Sequence, residues 1–499
     1  MTGIRRPAWL LVPLGLLVVL TTIAGSFIFP LTPIRMTRTS AELIDLSGIW
    51  SALAAIPWPV PTDGPTIAVS LLVVGGIAIG AYAAAVAIAW DRPATRRALA
   101  AVIIPAAIAL GVSTFAFPTQ SSDIVDYLLS GRVAVVHGAS PYDTPPDAFP
   151  DDPLLPYSSG RYTTDPEAKP PVWLGAAMGT AALTANAAPA DALLTARVLF
   201  MAMTAVNTLL IALILRRWRP NHLLAGLILY TWSPIVLLHG QAKFDTLMAT
   251  FALLAGLALV ASRPMTSIAV LWLSVMVKLL TLPLVAVSVL GDIAARRWRR
   301  VVISGAIITA LTVLLYLPFG AGIPQAVGHL TDAADSGTSL PRPVSLAMMA
   351  LAGVAVLWAG LRSRGEIEGT LQGWAVAALA TVPLGLTGAA WYLLTPIAVV
   401  SLSGERWRTI ALIGASGIAF LMDSWTRHSN ADFPLPVPFG LSRTGALLIG
   451  LAVLAIIAVA AAGLAARARR RRDATFRSDA GARPTSKVVA EHASESLVP

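Results

Sequence analysis

Two aspartates in SSDIVDYLLSGR, Asp123 and Asp126, stand three residues apart. On a helix that spacing puts both carboxylates on one face. Such a pair acts as a general base or holds a cation; the competing reading is a loop acid at a helix start, with Ser122 or Asp123 as the cap. A third acid, Asp245, closes HGQAKFD, with His239 and Lys243 close by. It reads equally as a helix N-terminal acid favoured by the macrodipole. Lys278 lies inside the apolar run LWLSVMVKLLTLPLVAVSVL. A charge at bilayer depth costs about 2.5–3.5 kcal/mol on insertion scales, and snorkelling is cheaper from a span end than from the middle of such a run. A lysine held at the outer interface suits a phosphate or pyrophosphate group, and an anionic lipid head would offset its desolvation. Lys169 in EAKPPVWLG is a second candidate for a phosphate, with the plainer reading of a loop-end lysine. Arg197 lies inside an apolar run near enough to its outer end to snorkel. Trp391 and Tyr392 either stack on a sugar or belong to an aromatic belt.

The elements that must position these residues are membrane helices. The 499-residue chain is 56% hydrophobic and 12% charged, about half the charged fraction of a soluble domain. Apolar runs of spanning length recur along it. The net charge of +10 does not point to nucleic acid, because the arginines cluster in short loops: Arg96-Arg97, Arg216-Arg217, Arg296-Arg297, Arg299-Arg300 and Arg469 to Arg472. That is the positive-inside pattern. With no cysteine, disulfides, thiolate metal sites and cysteine nucleophiles are excluded. The apolar core after Arg5-Arg6 is too long for a signal peptide and no A-x-A site follows, so it reads as a retained first span.

The basic loops set the register. Spans are expected at about 8–30, 66–90, 98–117, 191–214, 222–238, 246–262, 301–318, 343–361, 409–422 and 442–465. A helix near 171–190 lies at or dips into the outer interface. Two runs, 266–291 and 371–403, are each expected to break into a hairpin, the first near Lys278 and Pro283, the second at GAAWYLLTP; proline breaks helices, and irregular backbone at membrane depth is tolerated where it lines a cavity. The expectation is an all-α polytopic membrane protein of roughly fourteen segments (range 12–14), with both termini cytoplasmic and a long first external loop over 118–172. Residues 1–97 form a two-helix extension, 98–405 a core, 406–471 the C-terminal membrane helices and 472–499 a polar disordered tail. No Walker A sequence, no GxGxxG after a strand and no HExxH occurs, which disfavours motor ATPases, dinucleotide enzymes and zinc proteases.

An acid heading the first long loop, a second after SPIVLLHG, a VK inside a short hairpin and a late WYLL resemble the GT-C superfamily of membrane glycosyltransferases that use polyprenyl-phosphate sugars. The nearest likeness is to bacterial polyprenol-phosphomannose-dependent α-1,6-mannosyltransferases, which build lipomannan and lipoarabinomannan cores. SSDIVDYLLSGRVAVVHGASPYD resembles that family's sDxYSYxxqG…dPY, aligning Asp123, Tyr127, Gly131, Pro141 and Tyr142. SPIVLLHGQAKFD is similar to NPLVLxxxxGxHND, VKLLTLP to VKxxxxxxLP, and AWYLLTP to PWYxxWP. The chain departs from the pattern where Lys243-Phe244 replaces His-Asn, Ala390 replaces proline, and Asp126 takes the place of a small polar residue.

The resemblance implies a GT-C-like bundle with 98–405 as its catalytic core. It implies inverting transfer of a hexose, most simply mannose, from a polyprenyl-phosphate donor to a lipid-linked glycan on the external face of the cell membrane. The expected roles are Asp123 as base, Asp126 and Asp245 orienting the acceptor or holding a cation, and Lys278 on the donor phosphate, assisted by Lys169 and Arg197. Tyr127, Tyr142, Trp391 and Tyr392 would contact substrate. No cofactor is required, with a divalent cation left open. Partners are the donor, the acceptor and membrane lipids, with no nucleic acid. The alternative from another class is a transporter or flippase of a lipid-linked sugar, for which internal repeats and midplane charges are the usual signs. A non-catalytic scaffold leaves Lys278 unexplained.

Overall fold

The structure is a computed structural model that describes residues 8–33, 35, 37–118, 123–158, 160, 163–167, 169–319, 342–382 and 390–427. In chain order its α-helices are α1 (Leu11–Ile23), α2 (Arg38–Asp45), α3 (Gly48–Ala54), α4 (Gly64–Ala89), α5 (Arg96–Thr114), α6 (Asp123–Val135), α7 (Pro171–Leu183), α8 (Pro189–Trp218), α9 (Leu223–Thr231), α10 (Pro234–His239), α11 (Asp245–Val260), α12 (Pro264–Val275), α13 (Leu282–Ala294), α14 (Trp298–Tyr316), α15 (Arg342–Ser363), α16 (Ile367–Ala380), α17 (Leu394–Val400) and α18 (Arg406–Arg427). No strand occurs among the described residues.

The starts of these helices follow local chemistry. Asp63 accepts from Thr66 N–H at 2.8 Å and Thr95 from Ala98 N–H at 3.2 Å, each satisfying an amide that the first turn leaves open. Proline opens α7, α8, α10 and α12, where its missing N–H costs nothing. Two close approaches need glycine. Gly15 of α1 lies against Pro105 of α5, and Gly131 of α6 against the backbone of Ala177 in α7; a Cβ at either would overlap its neighbour. Small residues at such crossings let helices meet backbone to backbone.

Of the two hairpins expected from the sequence, the one near Lys278 has a counterpart among the described residues. The run from Pro264 to Ala294 breaks at Lys278, whose backbone is extended before a single 3-10 turn leads into α13. The Met276 carbonyl at that break accepts from Val172 N–H (3.1 Å) and Trp173 N–H (3.3 Å), so the hairpin tip is docked on the first turn of α7. The run at 222–238, expected straight, is instead bent by 45° between Thr231 and Pro234, where proline cannot continue the helix.

The described residues do not confirm the expected count of roughly fourteen segments. Among the described residues six helices are long and apolar enough to cross a membrane, or seven if the bent pair is one span. Five more are apolar but shorter, including Asp245–Val260 and Leu279–Ala294. Hydropathy marks apolar runs, but a backbone break divides a run into pieces below the roughly 20 residues a bilayer needs. The expected span at 442–465, the residues 383–389 of the second hairpin and the tail lie outside the described residues.

The bundle has two unlike ends. At one, the basic loops are tied together: Arg406 to Asp91 at 2.9 Å, Arg219 to Glu368 and to the Ser403 carbonyl, and Arg297 to the Gly365 carbonyl at 2.7 Å. At the other end meet the starts of α6, α7 and α11, the break at Lys278 and the 3-10 turn Ala390–Leu393.

Candidate active site

Asp123 opens α6, and its carboxylate is ion-paired to Lys243. Lys243 stands in extended backbone between the turn Gly240–Ala242 and α11, and its side chain is only 1% exposed. The next residue, Phe244, is stacked on Tyr127 (ring centroids 4.9 Å apart) and meets Trp173 edge-on at 5.4 Å. Aromatic packing between α6, α7 and the start of α11 therefore fixes where the Asp123 and Lys243 side chains meet. The Tyr127 hydroxyl lies 3.5 Å from Asp123 Oδ2.

Asp245 is buried in the first turn of α11. Its two oxygens accept from Lys278 Nζ at 3.3 and 3.4 Å. Lys278 is 35% exposed on its side chain, so its ammonium still faces the mouth. The two pairs form one electrostatic unit. The Asp123 carboxylate also acts on Lys278, and that of Asp245 on Lys243. Burial pulls Lys243 below the usual lysine value, against the attraction of Asp123. Burial pulls Lys278 the same way, but Asp245, Tyr392 and Asp123 together outweigh it and hold Lys278 above that value.

Aromatic faces close the wall. Lys243 Nζ lies 3.8 Å from the Trp391 ring centroid and Lys278 Nζ 4.1 Å from that of Tyr392. A cation–π contact is worth about 2 kcal/mol where desolvated, as at Lys243, and about 0.5–1 kcal/mol at a more exposed site such as Lys278. Behind Trp391 stands a second charged group. Asp423 of α18 accepts from Arg427 Nε at 2.7 Å and lies 3.2 Å from His239 Nε2. The Arg427 guanidinium is 5.6 Å from the Trp391 ring.

Asp123, Tyr127, Asp245, Lys278, Trp391 and Tyr392 thus come together. Asp126 is buried one turn further along α6. Lys169 pairs with Glu167 at 2.9 Å and lies 4.4 Å from the Trp173 ring centroid. Two candidates sit differently from expectation. Arg197 does not snorkel: it is buried over Trp50 and donates to the Ala116 and Phe117 carbonyls. It serves the unsatisfied carbonyls that follow the last turn of α5, a demand invisible in its own segment. Tyr142 is buried, donates to the Lys169 carbonyl at 2.8 Å and packs edge-on against Phe319, fastening the loop.

Sequence reasoning noted Lys243 and His239 only as neighbours of Asp245 and missed Asp423 and Arg427. The i,i+4 spacing of Asp423 and Arg427 was a readable signal for their ion pair; the pairing of Asp123 with Lys243 had none.

Among the described residues no three His, Asp or Glu side chains group as a metal site. Asp123 and Asp245 already face the ammonium groups of Lys243 and Lys278, so these two carboxylates do not fit one.

Residues 22–296 match the model of the MptA_B family, described as alpha-(1->6)-mannopyranosyltransferase, N-terminal domain. The chain belongs to this family. No curated protein and no solved structure gives a match. Membership in this mannosyltransferase family makes the chain a glycosyltransferase, and its apolar helices make it a membrane protein. The matched region holds Asp123, Lys243, Asp245 and Lys278; Trp391, Tyr392, Asp423 and Arg427 come from beyond it.

Proposed function

We propose that this mannosyltransferase takes its mannose from a polyprenyl-phosphate donor and delivers it to a lipid-linked glycan at the external face of the cell membrane, inverting the anomeric centre. The observation that carries the reading is the meeting of Asp123–Lys243 and Asp245–Lys278 in one mouth walled by Trp391 and Tyr392. The gathering of the basic loops at the opposite end supports the sidedness, since such loops stay cytoplasmic.

In this mechanism the Lys278 ammonium meets the donor phosphate. As the bond between the anomeric carbon and the phosphate oxygen breaks, the phosphate keeps the electron pair and the ammonium offsets its charge. The acceptor hydroxyl oxygen bonds to the opposite face of that carbon, and its proton passes to Asp123. Lys243 keeps Asp123 ionised while the site is empty and yields it to the hydroxyl. Asp245 holds Lys278 in place, and Asp126 supports the acceptor side. Tyr127 sets the Asp123 rotamer, while Trp391 and Tyr392 stack on sugar. Lys169, already paired, is secondary.

The test is transfer from a synthetic polyprenyl-phosphate mannose. An Asp123→Asn protein is expected to lose about 10²–10⁴-fold in turnover, the usual worth of a general base; wild-type turnover would remove Asp123 from the mechanism.

A further inference from the structure

Outside this mouth, α1, α4, α10 and α18 line a cavity that is open on one side. Most of it is apolar, with Val18, Val74, Leu237 and Phe420 on its walls. Its polar end is made by Arg35, His239, Asp423 and Arg427. None of these charged groups has a role in the transfer step above.

Three observations mark this cavity as built for a ligand. The chain is irregular where it lines it: Ala24–Ile28 is π-helical, and the 45° break before Pro234 opens on it. Single π-turns inside helices recur at functional sites. Next, two guanidinium groups stand together at its polar end. Arg35 Nη1 lies 3.4 Å from the Arg427 main-chain oxygen. Burial, then the Arg427 cation, bring Arg35 down to about 10, with Asp423 acting the other way. Asp423 is already engaged by both Arg427 and His239. An added anion there would relieve the repulsion between the two cations. Finally, the flanks of the cavity belong to the lipid-facing surface, where Leu16, Leu20, Val69 and Val73 are exposed. Apolar walls continuous with that surface favour an acyl chain.

We propose that this cavity binds an anionic lipid, its phosphate between Arg35 and Arg427 and one chain running between α1 and α4. It is a different site from the one assigned to the donor, because none of Asp123, Lys243, Asp245, Lys278 and Tyr392 lines it. Resting on the transferase reading, the occupant is the anionic anchor of the glycan acceptor, which would bring the glycan past Trp391 toward Asp123.

The experiment uses the full chain in phosphatidylcholine nanodiscs with phosphatidic acid carrying a diazirine on its acyl chain. Labelling is expected in peptides covering residues 18–30, 71–78 and 420–427. Unlabelled phosphatidic acid should compete at least tenfold better than diacylglycerol, and inorganic phosphate should not compete. Arg35→Gln should lower labelling at least fivefold. Val74→Trp, which fills the cavity from its rim, should do the same, and Lys278→Met should leave labelling unchanged. Equal competition by diacylglycerol, full competition by inorganic phosphate, labelling elsewhere, or indifference to both cavity variants would overturn the proposal. Labelling needs no turnover, so specific labelling of a protein that transfers no mannose would count against the transferase reading alone. Active protein without specific labelling would count against this site alone.

Discussion

The Asp245–Lys278 pair makes a prediction that separates stability from chemistry. Lys278→Met strands the Asp245 carboxylate, which is 3% exposed. Leaving one partner of a buried pair costs about 3–5 kcal/mol. Asp245 lies in the first turn of α11, and a helix N-terminus returns about 0.5–1 kcal/mol to an acid there. The expected loss is therefore about 2–4 kcal/mol. Asp245→Asn is milder. Lys278 keeps 35% of its side chain exposed and can turn to water, so the loss is about 1 kcal/mol, near that of an exposed pair. The double variant removes both charges and should cost about 1 kcal/mol, since replacing a buried pair together is often close to neutral. The cycle thus predicts a coupling of about 2–4 kcal/mol, well beyond the additivity of independent sites. Equilibrium unfolding in mixed detergent micelles measures it. Donor kinetics are expected to follow a different order: Asp245→Asn keeps the ammonium and its donor affinity, while Lys278→Met and the double variant lose about 100-fold in kcat/KM, or about 2.7 kcal/mol of transition-state stabilisation. Additive single costs would refute the pairing, and normal transfer by the stable double variant would refute the phosphate role.

Other consequences are open to direct test. Asp152 accepts from Arg132, His137 and the Leu154 N–H; burial raises its pKa, but these donors together outweigh burial and leave it below the usual carboxylate value. A depressed carboxylate stabilises the fold above its unfolded pKa and loses that contribution as pH falls through the lower folded value. Protection factors for hydrogen exchange over residues 139–157, corrected for the intrinsic pH dependence of exchange, should therefore hold down to about pH 4 and fall only below it; a fall already at pH 6 would sink the assignment. Gly131→Val should separate α6 from α7 and displace Asp123, lowering both Tm and turnover, whereas Gly111→Ala, where a Cβ meets nothing within 4 Å, should change neither; equal effects of the two would remove the close-approach argument. Chelation with EDTA should leave mannose transfer unchanged, because ammonium groups already meet the Asp123 and Asp245 carboxylates; loss restored by added magnesium would overturn this.

Much of this protein was legible in the sequence because the physics involved is local. A bilayer demands runs of about 20 apolar residues, positive charge marks the loops that stay inside, and a lysine in such a run needs a reason. Those arguments alone put a break at Lys278, marked Asp123 and Asp245 as candidates, and set the basic loops apart from them. They also overstated the straightness of the run before Pro234 and misread Arg197, whose partners are carbonyls just past the end of α5. The tertiary structure alone decided which acid meets which lysine. Asp123 reaches Lys243 across 120 positions of chain, through the aromatic packing of α6 and α7 on the start of α11. Likewise Trp391 meets both Lys243 and Arg427 because the far C-terminal part of the chain folds back on α10. Hydropathy and charge report the environment each residue requires, and that requirement is the same for every lysine buried beside a carboxylate; the choice of partner belongs to the packing of whole helices.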